Sequence, residues 1–206
     1  MTGFKVESIP SQETYDWILN KHYAHRVPPI SYAFGLYENL SLVGICTFGM
    51  PASPSLCSGI MGEDMKGFVI ELNRLCVESN QKNVTSWFVS RCLKMIPGPL
   101  CIVSYADTAM GHVGKIYQAC NFLFTGTTKE RTDIFAGEGK HSRHYSGDKA
   151  ERQFRSSKHR YVYFVGNKKE VKAMRSVLNY PIESYPQGKT KRYDASYQPA
   201  TQGILF

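Results

Sequence analysis

Apolar residues recur along this chain in two rhythms, and the switches between them mark out the elements. Between Ser11 and Lys21 (SQETYDWILNK) the spacing is helical, with Ser11 as N-cap and Thr14 to Leu19 in the turns, and the loop from His22 to Pro29 ends it. Two β-rich runs follow at 31–38 (SYAFGLYE) and 41–49 (SLVGICTFG), parted by Asn39 and Leu40 as in a hairpin. The stretch from Pro51 to Lys66 is rich in Pro, Ser and Gly and reads as a loop, and FVIELNRLCV at 68–77 reads as a third strand. Asn83 to Ser86 offers caps for a helix through Trp87, Val89, Ser90 and Leu93, which Pro97-Gly98-Pro99 stops. LCIVSYAD at 100–107 is almost wholly apolar with a polar tip, the pattern of a buried central strand whose carboxyl end faces a ligand crevice. A helix from Gly111 to Cys120, a strand at 121–128 (NFLFTGTT) and a last strand at 161–166 (YVYFVG) complete the regular part. Residues 129–160 are the least regular and suit a mobile binding loop. The order predicts an α/β (α+β) fold, a mixed central sheet with helices on its faces. It forms a single domain over 1–206, with a basic insertion at about 129–160 and an extension after 166.

Composition narrows the class. With 42% hydrophobic and 20% charged residues the chain can build one packed core. The first residues lack the basic start and apolar run of a secretory signal, and nothing approaches the roughly 20 apolar residues of a membrane span, so a soluble, intracellular protein with no membrane partner is expected. Six cysteines, none in a C-x-x-C pair, read as small core residues in a reducing compartment. The net charge of +8 is lopsided: residues 1–128 carry nine Lys/Arg and nine Asp/Glu, and residues 129–206 carry sixteen against eight. Such a basic half fits a polyanion, because each cation near a phosphate displaces counterions; a solvated basic surface explains the count equally well. The candidates for nucleic-acid contact are Lys129, Arg131, Lys140, His141, Arg143, His144, Lys149, Arg152, Arg155, Lys158 and Arg160, interleaved with Phe135, Tyr145 and Phe154.

The strongest local constellation is Ser104-Tyr105-Ala106-Asp107-Thr108, then Gly111-His112-Val113-Gly114, then Tyr117. A strand tip followed by a glycine-bearing helix start places Asp107 at a cleft and exposes backbone N–H groups, which makes Ser104, Tyr105, Gly111, His112 and Gly114 candidates for binding a donor. Asp107 and Tyr117 together form a proton-moving pair; alternatively Asp107 caps the helix and Tyr117 packs in the core. The pairs His22/His25 and His141/His144 have no carboxylate or cysteine in register, so no metal is expected.

Gly114-x-x-Tyr117-x-Ala119-x-x-Phe122-x-x-x-Gly126 resembles the late strand, helix and strand of the GNAT acyltransferase superfamily, in which the helix tyrosine protonates the leaving thiolate. More specifically, the chain resembles the Mom family of phage DNA-modification proteins over roughly residues 20–165. The likeness rests on His22-Tyr23-x-His25-Arg26-Val27-Pro28, Phe48-Gly49-x-Pro51-Ala52-Ser53-Pro54-Ser55, Glu71-Leu72-Asn73-Arg74-Leu75, Ser104 to Thr108, His112-Val113-Gly114-x-x-Tyr117-Gln118 and His141-Ser142-Arg143-His144. That resemblance implies a GNAT-like sheet and conversion of adenine in phage DNA to N6-carbamoylmethyladenine, in the host cytoplasm, as protection from restriction. It implies double-stranded DNA as partner with the target adenine flipped out, since the amine lies inside the duplex. In that setting Asp107 would orient or deprotonate the amine and Tyr117 would protonate the leaving group. Arg74 would steady negative charge, unless it pairs with Glu71. His22, Tyr23, His25 and Arg26 would close the pocket, with Tyr23 stacking on the extruded base.

Glycine is missing from the turn Glu78-Ser79-Asn80-Gln81-Lys82-Asn83, where coenzyme A-binding relatives grip pyrophosphate. An activated glycyl or acyl donor, free or carrier-bound, therefore stands beside a coenzyme A thioester. An acetyltransferase for protein or small-molecule amines and a non-catalytic DNA-binding protein are the competing readings.

Overall fold

The computed structural model describes residues 1–79, 81–135 and 151–189, and the backbone of 201–202. Its elements run β1 (Phe4–Ser8), β2 (Tyr32–Glu38), β3 (Ser41–Gly49), α1 (Pro54–Met65), β4 (Val69–Val77), α2 (Val84–Met95), β5 (Leu100–Asp107), α3 (Lys115–Ala119), β6 (Leu123–Thr127), β7 (Arg131–Ile134), β8 (Arg152–Arg155), β9 (Lys158–Val165), α4 (Lys168–Ser176) and β10 (Thr201–Gln202). The hairpin, the third strand, the second helix and the buried strand stand where the apolar pattern puts them.

Seven strands form the main sheet in the order β1-β2-β3-β4-β5-β9-β6, and a second sheet runs β10-β8-β7. The seven-stranded sheet is mixed: β4 and β5 are parallel and every other neighbouring pair is antiparallel. Phe34, Phe48, Ile70, Leu72, Ile102 and Tyr161 bury one face of it against Phe88, Val89 and Cys92 of α2. On the other face Val69, Cys101, Val103 and Val162 meet Cys57, Ile60 and Met61 of α1 and Met174 of α4. Each of these large side chains contributes about 1.5–3 kcal/mol by leaving water. The six cysteines are free and buried.

Several expectations change. Residues 11–21 are not an α-helix but a 3-10 turn (Ser11–Thr14) and a π turn (Trp17–Lys21). Ser11 does not cap them; its carbonyl accepts the Thr14 hydroxyl at 2.6 Å. Trp17 and Ile18, adjacent in sequence, are both packed with Ile45 and Cys76, and that tertiary demand overrides the local helical spacing. The Pro51–Lys66 stretch is largely helix α1, opened by Pro54 at its first turn. Its small residues hid the periodicity of Cys57, Ile60 and Met61, and Gly62, at φ 73°, breaks it. The helix expected at 111–120 contracts to α3, because Gly114 takes a left-handed φ of 71° and a side chain there would strike the Tyr161 ring. The extension after 166 contains α4, opened by a capping box between Asn167 and Glu170.

Candidate active site where strands β4 and β5 part

β4 and β5 pair over three positions only, Val69–Glu71 against Cys101–Val103, and beyond them the ladder ends. The Ser104 hydroxyl donating to the Leu72 carbonyl at 3.2 Å is the tie at the base of the fork. A bulge in the β3–β4 ladder inserts Asn73 and turns β4 away. The loop after the π turn is fastened to that bulge. Asn73 accepts from the Thr47 hydroxyl at 2.6 Å and donates to the Pro29 carbonyl at 2.9 Å. Arg74 donates from Nη2 and Nε to the Arg26 carbonyl, at 2.7 and 3.2 Å, and from Nη1 to the Asn73 carbonyl at 2.6 Å.

This geometry revises the part given to Arg74. It is 8% exposed and its guanidinium holds backbone carbonyls, while burial brings its pKa down to about 10. Among the described ion pairs none joins it to Glu71, although each feels the other's charge. Arg74 thus sets the position of the loop.

Asp107 is revised as well. It is 8% exposed at the tip of β5, where its carboxylate accepts from the Lys158 ammonium, from the Ser156 hydroxyl at 2.5 Å and from the Ala109 N–H at 3.0 Å. Burial works to raise its pKa, but these donors outweigh that and hold it below the ordinary carboxylate range. A carboxylate so engaged is a poor proton acceptor; the Ala109 bond closes a turn, and the helix cap that was the other reading does not form, since α3 starts at Lys115 with Gly114 as its N-cap.

A second carboxyl at the fork is Glu71, the last β4 residue paired with β5. Burial pushes it up to about 7, although Arg74, Arg26 and Lys158 pull the other way. Sequence reasoning passed over Glu71 except as a partner for Arg74; the signal was an acid inside the otherwise apolar start of a nine-residue strand. Tyr105 shares its surroundings, its phenol raised by burial and by Glu71 while Arg160 lowers it.

Tyr117 comes to the fork from α3, its ring 5.4 Å from Phe122 and 5.3 Å from Tyr161. Burial raises its phenol well above the ordinary value, hydrogen bonding with Ser104 works against that, and the charges of Tyr23 and Glu71 are felt there. Tyr117 is therefore both a packed residue and one whose hydroxyl reaches the fork. The donor cradle expected at Gly111, His112 and Gly114 is not formed. The Gly111 and His112 N–H groups close the turn onto the Thr108 and Asp107 carbonyls at 2.9 and 3.1 Å, and Gly114 makes room for Tyr161.

In the loop, His22 is 5% exposed and stacks on Tyr23 at 4.5 Å, its Nδ1 accepting the Ala24 N–H. Burial, with Arg74, His25 and His112, brings its pKa down to about 3, so it backs Tyr23 as a neutral ring. His25 bonds the Leu19 carbonyl through Nδ1 at 2.7 Å. Arg26 lends its carbonyl to Arg74.

The basic candidates also divide. Lys158 is committed to Asp107, and Arg160 holds Thr125 and lies 3.3 Å over the Tyr180 ring. Arg131 and Arg155 converge on Asp133 at 3.1 and 3.4 Å. Arg152 bonds the Thr132 hydroxyl, and Lys129 is exposed. Lys140, His141, Arg143, His144, Tyr145 and Lys149 lie outside the described residues.

The sequence pattern of the Mom protein family matches residues 3–187, nearly the whole described chain. The chain belongs to the Mom protein family. A curated relative, the methylcarbamoylase mom of Escherichia phage Mu, is 31% identical over 144 residues, which are 66% of this chain and 59% of that protein, so the match spans under two thirds of the relative's length. Among solved structures the fold is similar to Arabidopsis thaliana NAA60 in complex with acetyl-CoA, with a TM-score of 0.51 and 12% identity over 80% of this chain and 99% of that one. It is also similar to the ribosomal-protein-S5-alanine acetyltransferase of Vibrio fischeri, with a TM-score of 0.50 and 10% identity over 81% and 96%. The mixed sheet flanked by helices is thus the GNAT fold anticipated from the resemblance. Among the described residues no helix is long and apolar enough to cross a membrane.

Proposed function

We propose that this Mom-family chain is a transferase that places a carbamoylmethyl group on the exocyclic amine of adenine in DNA and so protects phage DNA from restriction. Family membership and the relative named a methylcarbamoylase support the reaction class. The observation that carries the mechanism is the parting of β4 and β5 at Glu71, whose charge is felt at the Tyr117 hydroxyl.

Adenine's amine is a poor nucleophile because its lone pair is delocalised into the ring. As N6 bonds the electrophilic carbon of an activated donor, Glu71 takes the N6 proton, and Tyr117 gives its proton to the departing group. Tyr23, backed by His22, offers a ring for an extruded base. The donor is of the activated glycyl or acyl class; transfer of a glycyl group to N6 followed by isomerisation, in which the glycyl amine bonds C6 as the amide nitrogen leaves it, gives the carbamoylmethyl group with no further reactant. The missing glycine before α2 does not bar a phosphate-bearing carrier, since Asn83 supplies the left-handed backbone there, at φ 66°.

The product discriminates among donors. Direct acyl transfer from a glycyl donor yields N6-glycyladenine, an isomer of N6-carbamoylmethyladenine with the same mass. DNA from cells expressing the chain, digested to nucleosides and compared with both synthetic isomers by retention and fragmentation, should contain the carbamoylmethyl form. Wholly unmodified deoxyadenosine overturns the proposal, and an N6-acetyl adduct replaces it with an acetyl transfer.

A further inference from the structure

The β7–β8 hairpin has two unlike faces. Directly opposed residues share a face, so Arg131, Arg155, Asp133 and Gln153 lie on one and Thr132, Phe154, Ile134 and Arg152 on the other. On the first, Asp133 draws both arginines to itself. On the second, Phe154 and Ile134 are 41% and 38% exposed beside Arg152. The two apolar side chains are diagonal neighbours there, with Arg152 directly opposite Ile134.

The root of the hairpin is fixed to the fork. Ser156, two residues after Phe154, donates to Asp107, and the Ser157 carbonyl accepts from the Thr108 N–H at 3.2 Å and its hydroxyl at 2.7 Å. Lys158, the first residue of β9, completes the clamp on Asp107. Phe154 therefore stands within about 7 Å of strand from the residue that touches Asp107.

From this placement we propose that the Phe154–Ile134 face is an apolar wedge that enters the base stack of duplex DNA beside the target adenine, with Arg152 on the adjoining phosphate and Asp107 as the positioning residue that mounts the hairpin. The proposal rests on the reading that DNA is the substrate. Nine Lys/Arg against five Asp/Glu in residues 129–160 favour a polyanion over a protein surface. The buried groups at the fork cannot themselves enter a duplex, and extruding a base leaves a gap that an apolar side chain can hold open.

The test uses the full chain with a duplex carrying 2-aminopurine at a target adenine, and reads fluorescence at saturating protein alongside affinity across a salt series. Wild type should raise the fluorescence. Phe154→Ala should cut that rise by about fivefold or more while keeping the salt slope, and Phe154→Trp should restore it. Circular dichroism should show all three folded. An undiminished rise in Phe154→Ala overturns the wedge alone. Absence of DNA binding by wild type overturns both the wedge and the DNA substrate. A wild-type dimer in sedimentation that Phe154→Ala dissociates assigns the face to a second copy and overturns the proposal.

Discussion

Arg74 and Arg131 are both strand arginines, yet the fork and the hairpin use them in opposite ways. At the fork, Arg74 is buried and three backbone carbonyl contacts define its geometry. On the hairpin, the Arg131 side chain is 70% exposed and pairs directly with Asp133 in reach of water. Burial turns a polar side chain into a part with one position and an altered pKa; exposure leaves it adaptable and salt-sensitive. Glu71 and Asp107 repeat the lesson within the fork, for burial raises one in spite of three nearby cations, while three donors lower the other.

The sharpest break in this contrast is Glu71→Gln. It should lower adenine modification about 100-fold or more, as expected for loss of a general base, and leave DNA affinity unchanged. The wild-type rate should rise with pH through about 7, where Glu71 ionises, and the variant should lose that limb. Arg74→Ala comes next, with a loss of about 2–4 kcal/mol in denaturant unfolding, because the Arg26 and Asn73 carbonyls lose a charged donor. An unfolding midpoint within error of wild type would show that the loop is not held this way. Asp107→Asn tests the joint between the regions. It should cost about 1–3 kcal/mol in the same assay and reduce the 2-aminopurine response while preserving the salt slope. The smallest structural effect belongs to Arg131→Glu with Arg155→Glu, about 1 kcal/mol or less, since exposed pairs contribute little. The same double change should nevertheless weaken DNA binding and flatten its salt dependence.

The buried titrating groups also predict a pH profile of stability. His22 stays neutral in the folded chain down to about 3, so below its ordinary value the unfolded state gains the proton and stability falls as pH drops. Glu71 stays protonated in the folded chain up to about 7, so the unfolded state ionises first and stability falls as pH rises from the ordinary carboxyl range to about 7. Urea midpoints across pH should show the second slope flattened in Glu71→Gln.

Strands with a clean apolar pattern were legible because burial and sequence agree residue by residue, as in LCIVSYAD at β5. Helix α1 was not, since Ser55, Ser58 and Gly59 mask a three-residue apolar stripe and only α1's packing on Val69 and Val103 reveals it. β7 and β8 look irregular in sequence because four-residue strands with no buried residue carry no core signal; pairing defines them.

By itself the sequence determined the family, the mixed α/β order and the side of the chain that bears the excess charge, because motifs, periodicity and charge are properties of neighbours along the chain. Tertiary structure alone decided how differently two of its acids hold a proton. Asp107 and Glu71 look equivalent in sequence, but Lys158 and Ser156 arrive at Asp107 from β9 and its approach, about 50 residues away, while Glu71 stands half-buried where two strands part. A carboxyl's pKa is set by the donors and the dielectric around it, and those come from folding, not from its place in the chain.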